Sequence, residues 1–352
     1  MRAAVLHGRE QIRVENVAPR PLQPGEVRIQ IQAALTCGTD LKVFKRGYHA
    51  KMIVPPAVFG HELAGVISEV RSPEHSLPAP APWPAWKVGD RVVAANSAPC
   101  GECLYCRSHQ ENLCTDLLFL NGAYAESIVV PARLAQKNLV RLKPETSFRD
   151  AALVEPLACV VQGVEDVQFR PGQRVLVIGA GPIGLMFVAL AKHLGCDVTV
   201  AGRRATRLEA ARRLGARQVI DVREGHSLVA KVQTCTWGNF DVVIEAVGKP
   251  ETWEASIHLV RKGGTVNFFG GCPSGTTVTL DTTLIHYSSL KLLASFHHTP
   301  RTIRRSLELI EAGVVRSSDF VSGECALDKL PELFQAMAAG NQAVKTFIQV
   351  RA

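Results

Sequence analysis

The sequence predicts an α/β protein: a doubly wound parallel sheet inserted between two pieces of a mostly β domain. Three observations carry that expectation. Branched-residue runs of strand length fill the first 150 residues or so. From Gln173 onward strand-like and helix-like runs alternate, the pattern of a parallel sheet covered by helices on both faces. A glycine-rich hexamer sits where the first of those strands meets the first helix. A chain of 352 residues suits two domains, and 47% hydrophobic with 20% charged residues is ordinary globular composition, which excludes disordered, collagen-like and coiled-coil chains. The expected division is 1–152 with 290–352 for the β-rich domain, and 153–289 for the inserted one.

The elements follow in order. VRIQIQAAL and AGVISEV read as strands, and RVVAA follows a Gly89-Asp90 turn. Residues 72–86 are too proline-rich for a helix or a central strand and read as a surface loop that Trp83 and Trp86 pack down. Near Arg149 the character changes, and ALVEPLACVVQGVE reads as helix. Then come RVLVIG, LMFVALAKHLG, DVTVAG, ATRLEAARRLG, QVIDV, DVVIEAVG and GGTVNFFGG; the helix before Gly215 ends on that glycine as a C-terminal cap. After about residue 290 an amphipathic stretch, RTIRRSLELIEAG, closes the alternation.

Lys and Arg total 40 against 32 Asp and Glu, a net charge of +8. The basic residues are scattered, with short pairs at Arg203-Arg204, Arg212-Arg213 and Arg304-Arg305 and no aromatic-interleaved basic module, so no nucleic-acid partner is expected. The first residues carry charges every few positions, unlike an export signal, and no apolar run approaches the ~18 residues of a membrane span. A soluble protein of the reducing cytoplasm, with no membrane partner, is the expectation.

Gly179-Ala180-Gly181-Pro182-Ile183-Gly184 matches G-x-G-x-x-G after strand 174–178 and before helix 185–194. In that place the first glycine allows the tight turn, the second lets a pyrophosphate approach the backbone, and the third lets helix and strand pack closely. The helix start then offers unpaired N–H groups to the phosphates. The second strand should end on an acid that binds a ribose 2′-hydroxyl; here Gly202, Arg203 and Arg204 stand instead. Removal of the carboxylate and gain of guanidiniums favours a 2′-phosphate, hence NADP(H) over NAD(H). Arg207 joins Gly202, Arg203 and Arg204 as an expected cofactor-binding residue. The bland alternative is that these arginines form a solvated turn.

The ten cysteines are unevenly placed. Cys100, Cys103, Cys106 and Cys114 (C-x-x-C-x-x-C-x7-C, within a lobe at 97–116) can wrap one zinc ion with four thiolates, a closed and therefore structural set. Disulfides and an iron–sulfur cluster are weaker alternatives in a reducing compartment. Cys37, His61 and Glu62, with Glu155 ahead of the nucleotide motif, could form an open zinc site with an exchangeable position. Cys159, Cys196, Cys235, Cys272 and Cys325 have no metal spacing.

Taken together, CGTD, GHE, the four-cysteine lobe, VEP and GAGPIG in that order resemble the zinc-dependent medium-chain dehydrogenases/reductases, similar to their sorbitol (polyol) and threonine dehydrogenase branch, over nearly the whole chain. The resemblance implies a GroES-like catalytic domain and a Rossmann domain. It implies two zinc ions, one catalytic on Cys37, His61 and Glu62 with Glu155 at or near the fourth position, and one structural. Thr39 would relay the alcohol proton, and Gly179, Gly181 and Gly184 would cradle the cofactor. It implies hydride exchange between a nicotinamide and a small secondary alcohol or ketone, a polyol, sugar or cyclitol, in a homodimer or homotetramer built by pairing nucleotide-domain sheets. Departures bear on the substrate. Lys42 stands where many relatives carry His, Val43 where sorbitol-like members carry an aromatic, and His297 where polyol dehydrogenases carry a substrate-binding Arg. Tyr48 and His49 are further candidates for the pocket, and the 72–86 loop for a subunit contact. L-Threonine 3-dehydrogenase-like oxidation of an amino alcohol is the alternative within the family, mildly disfavoured by Lys42. A zinc-free quinone or enoyl reductase would lack both zinc sets, and a non-catalytic cofactor-binding protein would not need the intact one.

Overall fold

One hydrophobic cluster gathers around Ile29, Phe59, Tyr124 and Phe334, and another around Leu176, Val243, Ile257 and Val266. The structure is a computed structural model, and residues 1–49, 52–73, 83–223, 227–236, 238–340 and 343–351 are described. The clusters belong to two units, residues 1–158 with 298–352, and residues 159–297.

In the first unit the strand Val27–Leu35 is the hub. Its pattern VRIQIQAAL buries Val27, Ile29 and Ile31, leaves Arg28 half-buried and exposes Gln30 and Gln32, the period-2 alternation of a half-covered strand. It pairs antiparallel with Glu62–Val70 along its length, with Ser127–Val130 at its beginning and with Lys345–Gln349 at its end. Leu35 faces Glu62 on one side and Phe347 on the other, so this register gathers three segments distant in sequence. The helix Gly38–Arg46 follows directly. Cys37 is its N-cap, Asp40 sits in its first turn, Lys45 and Arg46 in its last, and Gly47 ends it at φ 90° where a side chain would strike the Arg9 backbone. Trp86 is buried, donates to the Ala135 carbonyl at 3.0 Å and carries Arg141 over its ring, so it anchors its segment; the prolines at 74–82 lie outside the described residues.

Among the described residues the second unit holds six parallel strands: Arg174–Ile178, Asp197–Gly202, Gln218–Asp221, Phe240–Glu245, Val260–Phe268 and Lys291–Leu293. Numbered in chain order they lie 3-2-1-4-5-6, the doubly wound arrangement whose switch point falls beside the first strand. The unit therefore reaches beyond the expected boundary at 289: Lys291–Leu293 pairs with Val260–Phe268 and completes the sheet, and the first unit resumes only at His298. Among the described residues no helix is long and apolar enough to cross a membrane.

Candidate active site

The glycine hexamer occupies the turn between Arg174–Ile178 and the helix Pro182–His193. Gly179 has φ 111°, and a methyl group at Gly184 would lie 1.8 Å from the Gly179 carbonyl oxygen, so neither position accepts a side chain. Gly181 is the N-cap, and Pro182 opens the helix where its missing N–H costs nothing; Ile183 follows in the first turn. Around Gly181 the nearest group is the Arg207 guanidinium, 4.0 Å from the place of a Cβ, which leaves the backbone open on that side. Gly202 ends the second strand against Ala180, where a methyl group would come within 2.9 Å. Arg203 is exposed, while Arg204 and Arg207 are half-buried. Burial, and then the charge of Arg204, bring the Arg207 guanidinium down to about 10. Two cations held together beside an open glycine turn make an electropositive spot suited to an anion.

The cysteine lobe springs from a two-stranded ribbon, Ser97–Ala98 against Leu118–Phe119. The sulfurs of Cys100 and Cys106 are 3.8 Å apart, those of Cys103 and Cys106 3.6 Å, and those of Cys114 and Cys100 3.5 Å. A tetrahedron with Zn–S bonds of ~2.3 Å has edges of about 3.8 Å, so the set fits zinc and not disulfides. Backbone N–H groups of Gly101, Glu102, Cys103 and Asp116, with that of Cys100, point at the sulfurs at 3.2–3.4 Å and favour the thiolate form. The amides of Cys106 and Thr115 draw the Cys103 thiol down to about 6, while burial pushes Cys106 up to about 12.

The third constellation lies in the first unit. Ligand atoms of Cys37, His61 and Glu62 all fall within 4.8 Å of one another. A soft thiolate, an imidazole and a carboxylate make a donor set that fits zinc with a position left open. His61 is buried, and its Nδ1 meets Asp40 Oδ1 at 2.8 Å, which leaves Nε2 as the metal-facing atom. Asp40 Oδ2 accepts from the Tyr124 hydroxyl at 2.6 Å. Glu62 is fully buried, and the Lys345 ammonium donates to both its oxygens at 2.6 and 2.5 Å and to the Thr36 carbonyl at 2.9 Å. Burial opposes the charge on Lys345, but Glu62 and Cys37 outweigh it and the ammonium persists. Glu155, in the first turn of Val154–Val167, is buried and faces His298 at 4.0 Å; burial pushes it up to about 7 against the pull of His61. Nε2 of His298 in turn meets Asn96 Oδ1 at 2.8 Å. Thr39 is exposed beside Cys37, its amide 3.4 Å from the sulfur.

The fold thus brings Cys37, His61 and Glu62 together, leaves Glu155 beside them outside that three-member set, and closes the lobe cysteines on one another. Tyr48 is 53% exposed, Lys42 is exposed, and His49 bridges to Ile53. Sequence reasoning passed over Asp40 as a partner of His61, although its place three residues after Cys37 in a helix's first turn was a signal. It also passed over Asn96, His298 and Lys345. Lys345 opens a strand at a position that reads as solvent-facing, and the pairing of that strand with Val27–Leu35 and with Val321–Ala326 turns it inward.

A 3-2-1-4-5-6 sheet with an open glycine turn, in a chain that also gathers two donor sets of zinc character, defines the class of zinc-binding dehydrogenases. Comparison with known proteins agrees. Residues 23–143 match the alcohol dehydrogenase GroES-like domain, and residues 182–312 match the zinc-binding dehydrogenase domain. The chain is 29% identical to sorbitol dehydrogenase of Bacillus subtilis (strain 168), covering 99% of this chain and 97% of that one. It is 31% identical to L-threonine 3-dehydrogenase of Pyrococcus horikoshii, covering 97% and 95%. The structure of a protein assigned as a zinc-binding dehydrogenase from Sinorhizobium meliloti 1021, bound to NADP, superposes with a TM-score of 0.86 at 29% identity over 99% of this chain and 98% of that chain. The chain belongs to the zinc-dependent medium-chain dehydrogenase/reductase family and is a zinc-containing alcohol/polyol dehydrogenase.

Proposed function

We propose that the protein transfers hydride between NADP(H), in preference to NAD(H), and a small secondary alcohol or ketone of the polyol, sugar or cyclitol class. The closure of Cys37, His61 and Glu62 within 4.8 Å carries this reading. These three would hold the catalytic zinc, with Glu155 at the fourth position, and Cys100, Cys103, Cys106 and Cys114 would hold the structural one. Bound zinc supplies Lewis acidity that makes an alcohol proton labile, and the nicotinamide supplies the hydride acceptor. The residues of the chain do the rest. Asp40 fixes the tautomer and plane of His61, and Lys345 holds the Glu62 carboxylate in one orientation. Thr39, exposed beside Cys37, has a hydroxyl that can accept the alcohol proton and donate its own outward; with Lys42 in place of a second relay histidine, the path ends at solvent.

Gly179, Gly181 and Gly184 would seat the pyrophosphate at the start of Pro182–His193, with Pro182 and Ile183 shaping that turn. Gly202, with Arg203, Arg204 and Arg207, would take the 2′-phosphate, the arginines by charge and paired donors. A homodimer or homotetramer in the cytoplasm completes the proposal. The test is cofactor reduction over a panel of polyols, sugars, cyclitols and L-threonine with both cofactors, alongside His61→Ala. A polyol turned over with NADP, and loss of that turnover in His61→Ala with cofactor binding retained, is the expected result. Turnover of L-threonine alone moves the substrate to the amino-alcohol class, and full activity in His61→Ala removes the zinc assignment.

A further inference from the structure

Tyr124 belongs to the apolar core by position and to the candidate zinc site by its hydroxyl. Its ring is fully buried, with Phe59 5.8 Å away at a T-shaped angle and Phe334 6.0 Å away. It lies under the backbone turn that delivers His61: Gly60 has φ 89°, and a methyl group there would meet the Tyr124 ring at 2.7 Å. The Tyr124 amide donates to the Phe59 carbonyl at 2.9 Å, which fixes the height of the ring beneath that turn. The phenol oxygen then lies 2.6 Å from Asp40 Oδ2 and 3.1 Å from the Leu35 carbonyl. A phenol has one proton, and the shorter contact to the charged acceptor takes it.

Asp40 is 1% exposed, so its carboxylate depends on donors from the protein. Its two oxygens are divided: Oδ1 meets His61 and Oδ2 meets Tyr124. With a partner on each oxygen, the carboxylate cannot rotate without breaking both contacts. With the His61 contact alone it could.

We propose that Tyr124 is a positioning residue of the catalytic zinc site, its hydroxyl locking the plane of Asp40 so that Asp40 locks His61. The inference rests on the zinc reading of Cys37, His61 and Glu62. Partners of ligating groups typically change metal affinity about 10–100-fold when lost. Tyr124 acts one contact further out, so about three- to tenfold is expected.

The experiment measures zinc transfer from the full-length zinc-loaded enzyme to a chromogenic chelator, in wild type, Tyr124→Phe, Asp40→Asn and the double variant. Cys37→Ser identifies the release phase of the catalytic zinc by its absence. If Cys37→Ser retains as much zinc as wild type, the underlying zinc reading fails, whatever Tyr124 does. With that phase assigned, Tyr124→Phe should release its zinc about three- to tenfold faster. It should leave the lobe phase unchanged and lower kcat more than it changes the cofactor KM. Phe334→Leu, which loosens the same aromatic cluster without touching Asp40, should lower Tm but keep the wild-type release rate. In the Asp40→Asn background the Tyr124→Phe change should add nothing, because its route is gone. A wild-type release rate in Tyr124→Phe, or full additivity with Asp40→Asn, overturns the proposal. Should Tyr124→Phe fail to fold, the double variant decides. Recovery of folding once the buried charge is removed supports the coupling, and continued failure assigns the hydroxyl to the core alone.

Discussion

Replacing Lys345 by methionine keeps a long side chain and removes the only ammonium shown bonded to Glu62 among the described residues. Lys345 and Glu62 side chains are 2% and 0% exposed, so the carboxylate left behind can reach neither water nor another place. Loss of one partner of such a pair costs about 3–5 kcal/mol, because an uncompensated charge stays buried. At roughly 2–4 °C per kcal/mol for a domain of 150–250 residues, the expected fall in Tm is about 6–20 °C. The assay is calorimetry of the metal-free protein, where His61 is the other group whose charge favours the Glu62 carboxylate. In the zinc-loaded protein the same substitution should cost less, since the metal would neutralise that carboxylate. Glu62→Gln alone should also destabilise, by stranding the ammonium. The double variant Lys345→Met/Glu62→Gln should recover at least half of the loss, the non-additivity that defines a coupled pair. Equal Tm values for wild type and Lys345→Met, or strictly additive losses in the double variant, would refute the reasoning.

Cys103→Ser should lower bound zinc by one ion per chain while leaving the Cys37 set loaded, as read by elemental analysis; unchanged zinc content would point away from the four-sulfur lobe. Arg204→Ala and Arg207→Ala should each lower kcat/KM with NADPH about 10–100-fold, the worth of a lost charge-assisted hydrogen bond of ~1.5–3 kcal/mol, and should change the NADH value little. Equal losses with both cofactors would move these arginines from the 2′-phosphate to a part the cofactors share.

The alternation after Gln173 makes the parallel sheet legible in the sequence. Period and turn glycines are local properties, and Gly184 in particular has one physical reason to be glycine, the Gly179 carbonyl 1.8 Å from where its side chain would begin. The lobe cysteines were legible for the same reason: their spacing alone lets four sulfurs meet. The partners of the Cys37 set were not. Tyr124 and Lys345 reach Asp40 and Glu62 from 84 and 283 residues away, and no local pattern marks either. Lys291–Leu293 escaped similarly: three residues are too short for a periodicity, and only pairing with Val260–Phe268 defines them as the last strand.

What brings Lys345 to Glu62 is a single register. Leu35 ends the hub strand, facing Glu62 on one side and Phe347 on the other, and Cys37 stands two residues beyond it. The consequence for Lys345 follows from the period of two: it shares a face with Phe347, and the next residue, Thr346, exchanges hydrogen bonds with Thr36 that pin the strand end. A slip of one residue would turn Lys345 to the opposite face of the strand, bring Thr346 toward Glu62 and strand that carboxylate without a cation. The buried ion pair therefore does more than tolerate its site. Its cost when mispaired penalises every register but one, and the register it selects is the one that sets Glu62 beside Cys37 and His61.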